Sequence, residues 1–248
     1  MEVRFALHKP VMPLLRRMFA QTGALNVVDL CSGRGELVLE LYEALTSEGI
    51  DVEFTVTDKF PDLVAFRYIS SQHPLILHYV TGSVDATKVP PELVGLRTIF
   101  NAFHRFPPRA ARRVLEDAVK AGQPICIFEI PERTLLTIIS LLLTPLFVAF
   151  VTPFIRPFRC KRLLWAYLIP LVPFTCCWDG VISQLRAYTI AEPSELTQGL
   201  EDYERSAGNT PIHGQPGHLT YLLGATRSDN VSLIPLPVQD RQFKGAKV

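Results

Sequence analysis

Three carboxylates and a histidine follow short apolar runs, where their side chains could meet a ligand. Asp29 closes most of the run Leu25–Leu30 and precedes Cys31-Ser32-Gly33-Arg34-Gly35. Asp58 follows Val52–Thr57, Asp85 lies in GSVDATKVP after Leu75–Val80, and His104 follows Leu96–Phe100 in NAFHRF. Glycines at 33 and 35 would let the backbone approach a ligand and turn N–H groups toward it. A carboxylate at 58 can accept from both hydroxyls of a vicinal diol. A neutral imidazole at 104 can take a proton from a phenol or enol oxygen. A dinucleotide fingerprint wants a third glycine where Val38 stands, and Glu36 would oppose a pyrophosphate at the helix start. A cationic ligand without phosphate fits better.

Each of these residues also has an ordinary use. Asp29 could cap a turn, Asp58 could be a turn residue, and Asp85 sits among Gly, Ser and Thr where aspartate is common. Cys31 is read as a small packed group rather than a reactive thiol. His104 could simply bind backbone. Glu129 and Arg133 form either a structural ion pair or a substrate contact. His8, His73, His78, His213 and His218 show no ligand spacing, and no metal is expected.

The elements that must position these residues alternate. Residues 10–22 predict an amphipathic helix, with Val11, Leu14, Leu15 and Met18 on one face. Strands are predicted over 25–30, 52–57, 75–80, 96–100 and 124–129, and helices over 36–45, 63–70 and 108–121. Short apolar strands separated by helices imply a parallel sheet covered on both faces. After a helix over 179–187 and a segment over 193–200, Tyr203–Ser206 and Leu219–Thr226 can pair as an antiparallel hairpin. The last ~20 residues are polar and read as a flexible tail.

Residues 134–178 break this rhythm. Thr134–Ile155 carries no charge, a basic turn follows with Arg156, Arg159, Lys161 and Arg162, and Leu163–Trp178 is again uncharged. Five prolines (145, 153, 157, 170 and 173) punctuate the stretch. A transmembrane hairpin would fit the first segment, but the second is short, and the basic turn would have to cross. A soluble cap over an apolar pocket is a second reading. We expect a third, contact with a membrane surface combined with a cap role, because the basic residues could meet anionic headgroups.

VVDLCSGRGE (27–36) resembles the first motif of the class I S-adenosylmethionine-dependent methyltransferases, an acid followed by a glycine loop. The match is good over 24–133 and fainter over 179–226. Cys31 stands where that family usually has its first glycine; a small residue with negative φ is expected to substitute. The resemblance implies an α/β, Rossmann-like methyltransferase fold: a mostly parallel seven-stranded sheet, helices on both faces, an antiparallel terminal hairpin and an apolar helical insertion. It implies S-adenosyl-L-methionine as cofactor, with Asp58 at the ribose and Asp85 at the adenine. Asp29, Cys31, Gly33, Gly35, Asp58, Lys59, Ser83, Asp85, Ala86 and Asn101 form the expected cofactor site. His104 is the expected catalytic base, and His104, Arg105, Glu129, Arg133 and Trp178 are expected to face the substrate. The corresponding units are a cofactor-binding core (1–133), the insertion (134–178), the remainder of the core (179–230) and a tail (231–248).

Composition narrows the function. The chain has 248 residues, 25 Lys+Arg against 24 Asp+Glu and a net charge of +1. Nucleic acid is therefore a poor partner, and the amine-methylating DPPY-type signature is absent where NAFH stands. At 48% hydrophobic residues the chain is not disordered. Five cysteines without CxxC spacing point to reduced thiols and a cytoplasmic setting, with any membrane contact at the inner face. The N-terminus lacks the apolar core and cleavage site of a signal peptide. The expected activity is methyl transfer to a small apolar molecule, with oxygen as the acceptor. A methyltransferase-like protein that binds lipid or a small molecule without catalysis, and an NAD-type oxidoreductase, are the alternatives.

Overall fold

The computed structural model describes residues 8–130, 143–152, 174–175, 177–178, 181–182, 203–212 and 218–226. The expected segment over 193–200, the tail and Arg133 lie outside the described residues, as do most of the insertion and of the helix expected over 179–187.

The strands are β1 (Asn26–Asp29), β2 (Glu53–Val56), β3 (Leu77–Tyr79), β4 (Leu96–Phe100), β5 (Ile125–Glu129), β6 (Tyr203–Pro211) and β7 (His218–Thr226). They form one sheet in the order β3-β2-β1-β4-β5-β7-β6. β1 to β5 pair in parallel, and β7 lies antiparallel to both β5 and β6. The helices are α1 (His8–Thr22), α2 (Glu36–Ser47), α3 (Leu63–Gln72), α4 (Pro108–Lys120) and α5 (Thr144–Val151). The chain leaves β1 toward β2 on one side and returns to β4 on the other. That reversal opens a crevice at the carboxyl ends of β1 and β4.

Strand side chains alternate between two cores. Val27, Phe54, Cys126 and Phe128 pack with Val11, Leu15 and Met18 of α1, Val38, Leu41 and Leu45 of α2, and Phe66 and Ile69 of α3. Val28, Ile99, Ile125 and Ile127 face the other way, against Ala111, Val114, Leu115 and Ala118 of α4. The two-residue period of a strand feeds both layers, so these strands read as unbroken apolar runs.

Helix starts follow local chemistry. The Asp62 carboxylate accepts from the backbone N–H groups of Val64 and Ala65 and so caps α3. Pro108 occupies the first turn of α4, where no backbone N–H is needed. β6 runs well beyond the Ser206 expected from sequence, through Gly208 and Asn209 to Pro211. It is an edge strand whose burial alternates along its length, and an edge tolerates such residues because one side of the ladder faces solvent.

Candidate functional site

Asp29 ends β1 and is buried. The register sets it beside Thr98 of β4, whose hydroxyl donates to Asp29 Oδ1 at 2.7 Å. Burial pushes the Asp29 carboxyl up to about 7; the Ser32 and Thr98 hydroxyls oppose that shift, and the Asp58 charge adds to it. The Asp29 backbone carbonyl accepts from Ser32 Oγ at 2.9 Å and Thr57 Oγ1 at 2.9 Å, while Ser32 N donates to the Thr57 carbonyl. The glycine loop is thereby fastened across the tips of β1 and β2.

Within this loop Cys31, Gly33 and Gly35 have φ of 60°, 59° and 73°. The negative φ expected for Cys31 is corrected: the turn needs a left-handed residue there, and cysteine adopts that conformation at a cost of about 1–2 kcal/mol. Burial, reinforced by the charges of Asp58, Asp29 and Asp85, pushes its thiol up to about 12. The thiol stays protonated and unreactive.

Asp58 follows β2 and faces the loop. Its Oδ2 accepts from Gly33 N at 3.0 Å and its Oδ1 from Phe60 N at 2.8 Å. Each oxygen retains a further lone pair for a ligand hydroxyl. The loops after β2 and β3 are joined: Val84 N donates to the Asp58 carbonyl at 3.0 Å and Ser83 Oγ to the Lys59 carbonyl at 2.7 Å. Lys59 Nζ meets Asp85 Oδ2 at 2.8 Å, and Thr87 donates to Oδ1 through both N–H and hydroxyl. Lys59 first, then Thr87, pull the Asp85 carboxyl down to about 2. Ala86 is buried beside it. Lys59 and Ser83, both expected at the cofactor, tie the two loops together.

At the end of β4, Asn101 adopts φ of 51° with its side chain exposed, and its N–H donates to the Phe128 carbonyl at 2.7 Å. A short 3₁₀ turn, Phe103–Arg105, then carries His104 inward while Arg105 stays exposed. His104 is 3% exposed and Glu129, at the end of β5, 4%. Glu129 Oε2 lies 2.5 Å from His104 Nδ1, and Oε1 accepts from Phe103 N at 2.6 Å. Because a carboxylate only accepts, Nδ1 carries the proton and Nε2 of the neutral ring is left as acceptor. Nε2 is buried and has no hydrogen-bond partner among the described residues. Glu129, expected at the substrate, uses both its oxygens within the protein, on His104 and on the turn. Trp178 is exposed and stacks on Phe174 at 6.3 Å.

Sequence reasoning missed Thr98, Thr57, Ser32 and Thr87, and the pairing of His104 with Glu129. The signal for the pair was available: in a parallel sheet, residues that follow β4 and end β5 emerge on the same edge. Among the described residues a Cβ added at Gly33 would meet nothing within 4 Å, so the loop backbone borders open space there. Asp58 leads the charges that act on Cys31, with Arg105 opposing them, and Glu36 lies in the first turn of α2. A carboxylate at that helix start opposes a pyrophosphate. These residues fit S-adenosylmethionine, a sulfonium with a ribose diol and no phosphate. Among the described residues no cluster of three or more His, Cys, Asp or Glu could hold a metal ion.

No protein-family model and no curated protein matches the chain. Solved structures do. The pyocyanin biosynthetic protein PhzM aligns at 15% identity with a TM-score of 0.52, covering 90% of this chain and 55% of its own. A SAM-dependent methyltransferase from Aquifex aeolicus aligns at 11% identity with a TM-score of 0.53, covering 92% of this chain and 94% of its own. LepI in complex with SAM aligns at 14% identity with a TM-score of 0.51, covering 87% and 47%. The chain therefore spans about half the length of PhzM and of LepI, and nearly all of the Aquifex protein. With seven strands in this order and an antiparallel pair at one edge, the chain has the fold of the class I S-adenosylmethionine-dependent methyltransferases.

Proposed function

We propose that the chain transfers a methyl group from S-adenosylmethionine to an oxygen of a small apolar molecule. The observation that carries this reading is the buried Nε2 of His104, without a partner among the described residues and oriented by Glu129 on the sheet edge that also bears the glycine loop. Asp58 would hold the ribose hydroxyls, the Gly33 region would accommodate the methionine portion, and Asp85 retains one acceptor site on Oδ2 for the adenine side. When bound, the cofactor supplies a methyl group on a sulfonium, whose loss leaves a neutral thioether.

The protein's own task is then positioning and proton removal. His104 Nε2 would take the proton of the acceptor O–H as that oxygen receives the methyl group the cofactor supplies. Glu129 favours the imidazolium so formed and keeps the ring from rotating. Burial of the pair keeps bulk water from competing for the proton. Methylated oxygen, neutral thioether and a proton on His104 balance the step.

Two measurements test the proposal separately. Calorimetric titration with S-adenosylhomocysteine should show binding, weakened at least about tenfold, or about 1.4 kcal/mol, by Asp58→Ala. Absence of binding would remove the methyltransferase reading. Methylation of a panel of phenols should fall about 10²–10⁴-fold in kcat for His104→Ala, the range for losing a general base. Unchanged turnover would remove His104 as the base and leave cofactor binding standing.

A further inference from the structure

We propose that the insertion between β5 and β6 docks the protein onto an anionic lipid surface through the outer face of α5. Leu146, Phe147 and Phe150 of this helix are between 67% and 72% exposed, and Leu143 just before it is exposed too. Positions 143, 146, 147 and 150 fall on one side of a helix with a 3.6-residue period. Thr152, immediately past the helix end, is buried. The described side chains on this arc are apolar and turned outward, where a helix packed on a core in water carries polar residues, so this face suits a non-aqueous neighbour.

A second exposed pair has the same character. Phe174 and Trp178 stand four residues apart with rings 6.3 Å from each other, and both are largely exposed. Tryptophan favours the headgroup level of a bilayer, where its ring is half solvated. Among the described residues no helix is long and apolar enough to cross a membrane.

Charge selects the occupant. From Thr134 to Trp178 there is no acidic residue, while Arg156, Arg159, Lys161 and Arg162 stand between the two apolar pieces. Arg156 follows Phe150 by six residues, a tether of at most ~20 Å. Two copies of the insertion would bring these cations no acidic residue to pair with. An anionic headgroup layer neutralises them instead. These observations lie outside the glycine-loop site, so the inference stands whether or not the chain transfers methyl groups.

Flotation of the full chain with vesicles tests it, comparing phosphatidylcholine alone with phosphatidylcholine mixed with phosphatidylglycerol. Wild type should float with the anionic vesicles, and high salt should weaken the association. Leu146→Ser combined with Phe147→Ser should lower the bound fraction about tenfold while the melting temperature stays unchanged. Arg159→Glu combined with Lys161→Glu should abolish the preference for anionic vesicles, which tests the idea even if the first variant folds poorly. Failure of wild type to float with either vesicle would overturn the proposal, as would undiminished flotation of the apolar variant. A dimer seen by light scattering, converted to monomer by the apolar variant without any flotation, would overturn it in favour of self-contact.

Discussion

Gly33 and Gly35 share a left-handed backbone but not the same surroundings, and this separates a stability role from a binding role. A Cβ at Gly35 would come within 2.7 Å of Ile69 Cδ1 in α3, whereas one at Gly33 would point into open space. Gly35→Ala should therefore cost about 2 kcal/mol, combining left-handed strain with crowding, against about 1 kcal/mol for Gly33→Ala. Urea denaturation would give this ranking. Affinity for S-adenosylhomocysteine should rank the other way, since only the Gly33 methyl intrudes where the ligand is proposed to lie. Similar reasoning gives Glu129 a positioning role that can be measured. Its two oxygens serve two N–H donors, and glutamine supplies one acceptor oxygen and one donor group in their place. Glu129→Gln sets an NH₂ against an N–H and leaves the imidazole without its fixed orientation. We expect kcat to fall about 10–100-fold with KM nearly constant, because an intact His104 lowers the barrier only when aligned. Nitrogen NMR shifts of the imidazole should reveal a mixture of tautomers in the variant, which loss of stability alone would not produce.

At the scale of elements, β4 and α4 are joined by a buried ion pair. Arg97, in the sheet centre at 1% exposure, donates through Nη1 to Asp117 Oδ2 at 2.8 Å, and that oxygen also accepts from Val89 N. Asp117 reaches partway to solvent, and Arg97 does not. Asp117→Ala should thus cost about 3 kcal/mol by stranding a buried guanidinium, whereas Arg97→Met leaves a carboxylate that water can reach and should cost less. Denaturant midpoints for the two single variants and the double variant would show this asymmetry. Elements differ equally in how far the sequence disclosed them. β1, β2, β4 and β5 were legible to within a residue or two, because doubly covered strands are apolar runs closed by turn residues. β6 was read only to Ser206, since an edge strand buries alternate residues and tolerates Gly208 and Pro211. The glycine loop and Asp58 were legible as chemistry at strand ends. The sign of φ at Cys31 was not, because turn geometry rather than residue type imposes it. Nor was the pairing of His104 with Glu129 recognised; the two are 25 residues apart and meet only through the β4–β5 register.

For the molecule as a whole, 25 basic and 24 acidic side chains leave a net charge of +1, so global repulsion contributes little to the response of stability to pH near neutrality. Individual displaced groups then set its slope. Among the described residues, Asp85 is pulled down to about 2 and Cys31 pushed up to about 12, while burial raises Cys126 and Tyr203 as well. Asp29 is the displaced group whose titration falls between these limits, raised from 3.8 to about 7 by burial. The folded chain holds this proton over a range where the unfolded chain has already released it. More protons bound in the native state means that stability falls as pH rises. The contribution is full below about pH 4, declines through the interval up to about pH 7, and is gone above it. The slope from one such group cannot exceed about 1.4 kcal/mol per pH unit. Wild type should accordingly melt at progressively lower temperature from pH 5 to about pH 7. Asp29→Asn, which keeps an acceptor for Thr98 and has no proton to lose, should melt with a distinctly shallower dependence. Thermal denaturation by circular dichroism across that interval reads both curves. Parallel curves for the two proteins would mean that Asp29 titrates as an ordinary carboxyl and that the floor of the crevice is wetter than its burial implies.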